Sequence, residues 1–409
     1  KTTMPPPPVI TGKALASVMR AAPAPGIEKT MLSLPASASV SSIAARSVQS
    51  PDPATAQTPS PGDASPRSPV EFTVTVTPAA AVGVPPTATA VPPTPVPTPV
   101  DTTPVVVDGD GWVITEGDIA RLAAFVEDTH QLEYTSVVTV LVSNDVGLEY
   151  APNFEPFAVE EWWLLQALGL ADSQVDRDIT NQVRRDRIRG LCCRFNNGTQ
   201  VVVEVEATKL ETAAIIVHEL THALHTQHPD LFENTHRDTD ETPRPYGASI
   251  EGVPQFVTFA YLAQAPPEEL ALVTPELPII RPDMVPLVGA GPAQHLNFAY
   301  ATGPAFVDAI VAARGIAGLS DLLTDPALTT EQILFPDKYL SGELAAVVDD
   351  PQAPPQANVV ASGTIGAAMF LFALLDQQGE SVARELIEPW AGDRFVVFEV
   401  GDDACMVAN

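Results

Sequence analysis

Basic residues are scarce in this chain. Its 409 residues include 21 Lys and Arg against 51 Asp and Glu, a formal net charge of −30. A surface of that sign repels nucleic acid and anionic membranes, so neither is an expected partner. It suits an exported or salt-adapted protein, with plain solubility as the alternative. Cysteine is sparse too. Cys192, Cys193 and Cys405 do not have the spacing of a zinc cluster. Neighbouring cysteines rarely bridge each other, because the geometry is tight. A bridge from Cys192 or Cys193 to Cys405 suits an exported chain, and three free thiols are the alternative. Long apolar runs are missing as well. The best, residues 365–375, is too short to cross a bilayer. The chain begins at Lys1 with no clear signal peptide, so an export signal or anchor is expected to lie upstream.

Proline is abundant, but unevenly placed: 22 of 42 fall within residues 1–104. That segment is dense in Ala, Thr, Ser and Val and lacks the varied apolar surface needed to offset chain entropy. We expect it to be an unstructured stalk or linker. It carries six Lys or Arg and five Asp or Glu, which leaves 15 basic and 46 acidic residues for 105–409. The acidic charge therefore belongs to the second part, and points to cationic or neutral peptides rather than acidic ones as ligands. At about 300 residues, 105–409 is within reach of one folded domain.

The most informative stretch is His218-Glu219-Leu220-Thr221-His222. Residues four apart share one helix face, so His218 and His222 can reach one metal ion. Glu219 is rotated off that face and is placed to take a proton from a water. Together these supply two metal ligands and a general base for hydrolysis. The same three residues could fall together by chance on a solvated helix. The flanks argue otherwise: Ala213–Val217, Leu220, Ala223 and Leu224 are apolar, and no Lys or Arg occurs between Lys209 and Arg237. Polar side chains on such a helix are costly to bury unless something satisfies them.

A catalytic zinc site usually takes three protein ligands. Two residues compete for the third place. Glu251 lies on the next expected helix and would complete a His, His, Glu set. Its plain alternative is a carboxylate at a helix N-terminus, favoured by the helix dipole. His228 stands six residues after His222, where the metzincin pattern has its third His, but that pattern needs Gly where this chain has His225. His225, His228 and His236 otherwise read as surface or supporting groups. Tyr300 is the first choice as donor to the developing oxyanion, with Tyr246 and Tyr261 nearer Glu251 in sequence.

Periodicity places helices at 115–125, 159–168, 173–187, 210–226, 248–262, 304–314, 319–323, 364–377 and 380–387. Strands are expected at 136–143, 190–195, 200–206 and 394–400, the middle two joined as a hairpin through Asn197-Gly198. The strand at 201–205 runs into the motif helix, and is expected to form the edge of the cleft where a peptide could add as an extra strand. Residues 227–247 read as a loop.

Several segments together resemble the gluzincin-like (peptidase MA-like) domains of bacterial exported proteins. They are His218–Leu224 with Gln227-His228, Ile250-Glu251-Gly252, the stretch from Tyr300 to Val307, Thr330–Leu334 with Lys338-Tyr339, and Trp390–Arg394. The likeness covers residues 185–400. It implies a zincin-like α+β fold with a small twisted, mostly antiparallel sheet on the motif helix and a mainly helical C-terminal half. The sheet-bearing part would be 105–228 and the helical part 229–409. It implies Zn2+ held by His218, His222 and Glu251, with Glu219 as base, in a secreted or surface-tethered metallopeptidase acting on peptide or protein substrates. A binding or adhesion module that holds zinc without turnover is the alternative, with His225, His228 or His236 as fourth ligand. In a third possibility Cys192 or Cys193 caps the metal. The chain departs from thermolysin-type enzymes at Gln255, where those carry an Asp that orients a zinc His.

Overall fold

A computed structural model describes residues 48–49, 74–75, 104–107, 113–143, 145–150, 157, 159–171, 177–193, 199–206, 208–232, 241, 243–273, 280–400 and 403–409. Nearly all of the expected stalk, the Asn197-Gly198 turn and His236 lie outside these residues.

Strands β1 (Val48–Gln49), β2 (Val74–Thr75), β3 (Pro104–Val107) and β4 (Val113–Thr115) come first. Helix α1 (Glu116–His130) follows, then β5 (Thr139–Ser143), α2 (Val146–Tyr150), α3 (Val159–Ala167) and α4 (Arg177–Asp186). Next are β6 (Gly190–Cys192), β7 (Gln200–Glu204) and the motif helix α5 (Lys209–Thr226). A 3-10 turn, Pro229–Phe232, precedes α6 (Pro243–Leu262), α7 (Pro267–Leu270), α8 (Val285–Val288) and α9 (Ala290–Arg314). The chain continues through α10 (Gly318–Thr324), α11 (Thr330–Leu334), α12 (Pro336–Leu340) and β8 (Asn358–Gly363). It closes with α13 (Ala367–Gln378), α14 (Glu380–Ile387), β9 (Phe395–Val400) and β10 (Asp403–Ala408).

The architecture is mixed α+β, with small sheets and a helical C-terminal half. One sheet has the order β2-β5-β7-β6; β5 and β7 are parallel and the other pairs antiparallel. A second has the order β1-β10-β9-β8 and is antiparallel throughout. Strands β3 and β4 form a separate pair. The sequence reading missed β8 and β10. Both are half-exposed where described, and neither shows a clean alternation of buried and exposed residues.

Local chemistry explains where α5 begins. The Thr208 side chain accepts from the Glu211 N–H, and the Glu211 carboxylate accepts from the Thr208 N–H. This reciprocal cap contributes about 1 kcal/mol. Ala213, Ile216, Val217, Leu220, Ala223 and Leu224 then recur at helical spacing and are buried in the main core with Val201 and Val203 of β7. That burial faces the helix onto the sheet and leaves the His218–His222 stripe toward the cleft.

Helix α6 starts at Pro243, inside the expected loop. Pro243 and Pro245 sit in its first turn, where a missing N–H costs nothing. Helix α9 starts at Ala290 rather than at Pro304 and carries Pro304 in its interior. It packs on α6 through two glycines: a Cβ on Gly252 would sit 2.8 Å from the Gly303 carbonyl carbon, and one on Gly303 would run into the Ala248 carbonyl oxygen. By length and composition α9, not residues 365–375, is the one described helix apolar enough to cross a membrane. It lies in the core, with Phe298, Phe306, Val307 and Ile310 buried, and gives no clear sign of a span.

Candidate metal centre

His218 and His222 stand one turn apart on α5. Glu251, the ninth residue of α6, meets them from across the groove between the two helices. Its Oε2 lies 3.2 Å from His218 Nε2 and 3.2 Å from His222 Nε2, and the two Nε2 atoms are 3.2 Å apart. Zinc bonds of about 2.0–2.1 Å at tetrahedral angles put ligand atoms roughly 3.3 Å apart, so this triangle fits one face of such a site. Among the described residues these three are the one group of His, Cys, Asp or Glu arranged to hold an ion. Their side chains keep 13, 18 and 26% of their surface, so solvent reaches the group.

The electrostatics are those of a tightly coupled cluster. Burial alone would lower His222, but the charges of Glu251 and Glu219 outweigh it and push it up to about 9. Burial alone would raise Glu251. The charge on His222 and hydrogen bonds from both imidazoles instead hold its carboxyl below the usual carboxylate range.

Glu219 is not part of the triangle. Its carboxylate is buried and accepts a hydrogen bond from the Cys192 N–H. Burial raises its pKa, and the Glu251 charge adds to this, against the two His. Gly190 makes the space: a Cβ there would sit 2.6 Å from the Glu219 Oε1. Glu219 is thus packed beneath β6, which is the edge of its sheet. The exposed edge is Gly190–Cys192, not 201–205 as expected, because β7 is flanked on both sides by β5 and β6.

Tyr300, on α9, joins the site. Its ring stacks on His218 with centroids 6.1 Å apart, and its hydroxyl donates to Glu251. Burial and the charges of Glu251 and Glu219 raise its pKa well above 10, so it stays a donor. Tyr261 instead packs edge-on against Phe125. Tyr246 is half-buried and has no part in the triangle.

The other expected ligands are elsewhere. His228 Nε2 is engaged with the Glu133 carbonyl at 2.8 Å and lies outside the triangle. His225 Nε2 is bonded to His130 Nε2 at 2.9 Å inside the core. Gln255 is buried with its amide nitrogen unpaired, and does not stand in for an orienting Asp. Cys192 and Cys193 are bridged to each other and Cys405 is free, so the bridge to Cys405 is not formed. Cys193 adopts φ +73°, the left-handed turn that lets neighbouring sulfurs meet. Their sulfurs are spent in that bond, which removes them as caps on a metal.

One further residue at the site, Gly190 against Glu219, belongs to no motif and escaped the sequence reading. Only the Arg-rich run at 184–189, just ahead of β6, hinted that this flank is unusual. The chain matches no family model, no curated protein and no solved structure.

Proposed function

We propose that the chain is a secreted or surface-tethered zinc metallopeptidase with a zincin-like fold of the gluzincin type. One observation carries the reading: three ligand atoms in a 3.2 Å triangle, with a buried carboxylate beside it that is not part of the triangle. His218, His222 and Glu251 would hold Zn2+. When bound, the ion supplies a Lewis acid that polarises a peptide carbonyl and eases the loss of a proton from water.

The chain's own residues do the rest. Glu219 takes that proton on its carboxylate and passes it to the leaving amine. Tyr300 turns its hydroxyl from Glu251 to the developing oxyanion. A zinc-holding module without turnover would need a fourth ligand; of its candidates His225 and His228 are committed elsewhere, and His236 lies outside the described residues.

The test is metal content by mass spectrometry together with hydrolysis of a quenched-peptide library. Wild type should hold one zinc and cleave, with loss of cleavage on chelation. Glu251→Ala should lose the metal, and Glu219→Gln should keep it but lose cleavage. Zinc that survives Glu251→Ala, or full activity in Glu219→Gln, would overturn the assignment.

A further inference from the structure

The bond between Cys192 and Cys193 closes the end of β6. Disulfides stabilise a fold mainly by shortening loops of the unfolded chain, and this one encloses no intervening residue. It adds little as a staple, so its effect is local. Cys193 is held at φ +73°, a conformation that a residue with a Cβ leaves when nothing keeps it there. Its N–H makes a backbone bond of 3.5 Å to the Gln200 carbonyl, and Cys192 stands opposite Val201 in the β6–β7 pair.

The same strand forms the wall against Glu219. The Cys192 N–H donates to the Glu219 carboxylate, and a Cβ on Gly190 would sit 2.6 Å from both its Cγ and its Oε1. Alternate residues of a strand share a face, so Cys192 lies on the side of β6 turned to α5, and it packs against the main core. Among the described residues β6 pairs with β7 alone, and it is three residues long. Few bonds hold such an edge strand in place, and the bridge is the covalent constraint at its end. Both cysteines are half-buried, within reach of a thiol from solvent.

We propose that the Cys192–Cys193 bond is a thiol–disulfide exchange site whose partner is a dithiol, and that opening it releases β6 from Glu219. A thiolate of the partner attacks one sulfur, forming a mixed disulfide and freeing the other cysteine. The partner's second thiolate then displaces the first cysteine. Two electrons and two protons pass to Cys192 and Cys193, and the partner leaves as a disulfide. A partner with one thiol would be expelled again by the adjacent freed cysteine. Once the bond is open, Cys193 returns to negative φ, the end of β6 shifts, and the Cys192 N–H no longer fixes the carboxylate. The site is therefore competent when oxidised and slow when reduced. An exported chain would stay idle in a reducing compartment and switch on outside it. The effect on hydrolysis rests on the peptidase reading above.

The test uses the full zinc-loaded chain carrying Cys405→Ser, which leaves the pair as its only cysteines. It is treated with dithiothreitol, or with glutathione at equal thiol concentration, and reoxidised with oxidised dithiothreitol. Reagents are removed before each reading. The bond is followed by mass after maleimide labelling, zinc by mass spectrometry, and exchange of the Cys192 amide by NMR. We expect dithiothreitol to open the bond and glutathione to leave it closed. Opening should speed exchange of the Cys192 amide at least about ten-fold, as loss of a hydrogen bond to a carboxylate would. It should slow hydrolysis at least about ten-fold at unchanged zinc, and reoxidation should restore both. Cys192→Ser with Cys193→Ser should behave like the reduced protein throughout. A bond that dithiothreitol leaves closed in the folded chain, or that glutathione opens equally well, would overturn the proposal. So would equal amide exchange in the two states, or loss of zinc on opening. Equal hydrolysis in both states would sink the switch and leave the peptidase reading standing. If exchange follows the bond at constant zinc while neither state cleaves, the peptidase reading alone falls.

Discussion

Gly190 shows how much a missing side chain can matter. It lies against Glu219 and Ile215 of α5: a methyl group at 190 would overlap the Glu219 Cγ and Oε1, each at 2.6 Å, and the Ile215 Cγ2 at 2.8 Å. On the proposed reading of Glu219 as the base of a zinc peptidase, Gly190→Ala should keep zinc but slow hydrolysis roughly 10- to 100-fold, because a displacement of about 1 Å is enough to misalign a base. Unchanged kcat with unchanged zinc would show that Glu219 does not act from its observed position. Tyr300 makes a complementary prediction. Its hydroxyl bonds to Glu251 in the free site, and its ring stacks on His218. If it serves the transition state, Tyr300→Phe should lower kcat about 100-fold with little change in KM or zinc content. An effect confined to zinc content would make it only a support for the ligands.

Two helices matter most at the level of elements. Helix α5 is encoded locally, by its Thr208 cap and its apolar stripe, and the expected span of 210–226 is right to within one residue. Helix α6 is different. Its first turn is Pro-rich, which reads as loop in sequence, yet those prolines occupy positions a helix start tolerates. Its early start puts Glu251 in the third turn. The carboxylate therefore answers to the two His rather than to a helix N-terminus. The α6–α9 crossing fixes how near Tyr300 comes to this group, and that crossing needs Gly252 and Gly303. Gly303→Ala should destabilise the fold by about 1–3 kcal/mol through overpacking against the Ala248 carbonyl. Denaturant melts would check this, and a neutral result would mean the helices can part without cost.

The whole molecule is strongly acidic, and one carboxylate in it is buried among others. Glu241 is 2% exposed and accepts hydrogen bonds from both the N–H and the hydroxyl of Thr330. Burial raises its pKa to about 7, with nearby Asp393 adding to the effect. Between 4.5 and about 7 the folded state holds a proton that the unfolded chain has released. Stability from this group is complete below about 4.5 and is lost as pH rises toward 7, at up to roughly 1.4 kcal/mol per pH unit. Glu241→Gln keeps an acceptor for Thr330 and cannot ionise. It should gain on wild type as pH rises from 5 to 8, by a few kcal/mol in all. Melting curves for the two proteins across that range would test it, and parallel curves would place the Glu241 pKa near its ordinary value.

The sequence by itself determined what lies within a few residues: the spacing of His218 and His222, the place of Glu219 beside them, the cap at Thr208, and the pairing of the strands at 190–192 and 200–204. Each depends on a repeat or a cap that acts locally. Tertiary structure decided the rest. Glu251 and His228 were both eligible as third ligand, and only the return of α6 across α5 brings one of them to 3.2 Å. The packing of α9 on α6 brought Tyr300 onto His218 while Tyr261 packs on Phe125, and the order of the sheet put β6 rather than β7 at its edge. The physical reason is range. A helix repeat or cap is written in adjacent residues, whereas the meeting of side chains 30 to 80 positions apart depends on how closely two helices approach, and here two glycines set that distance.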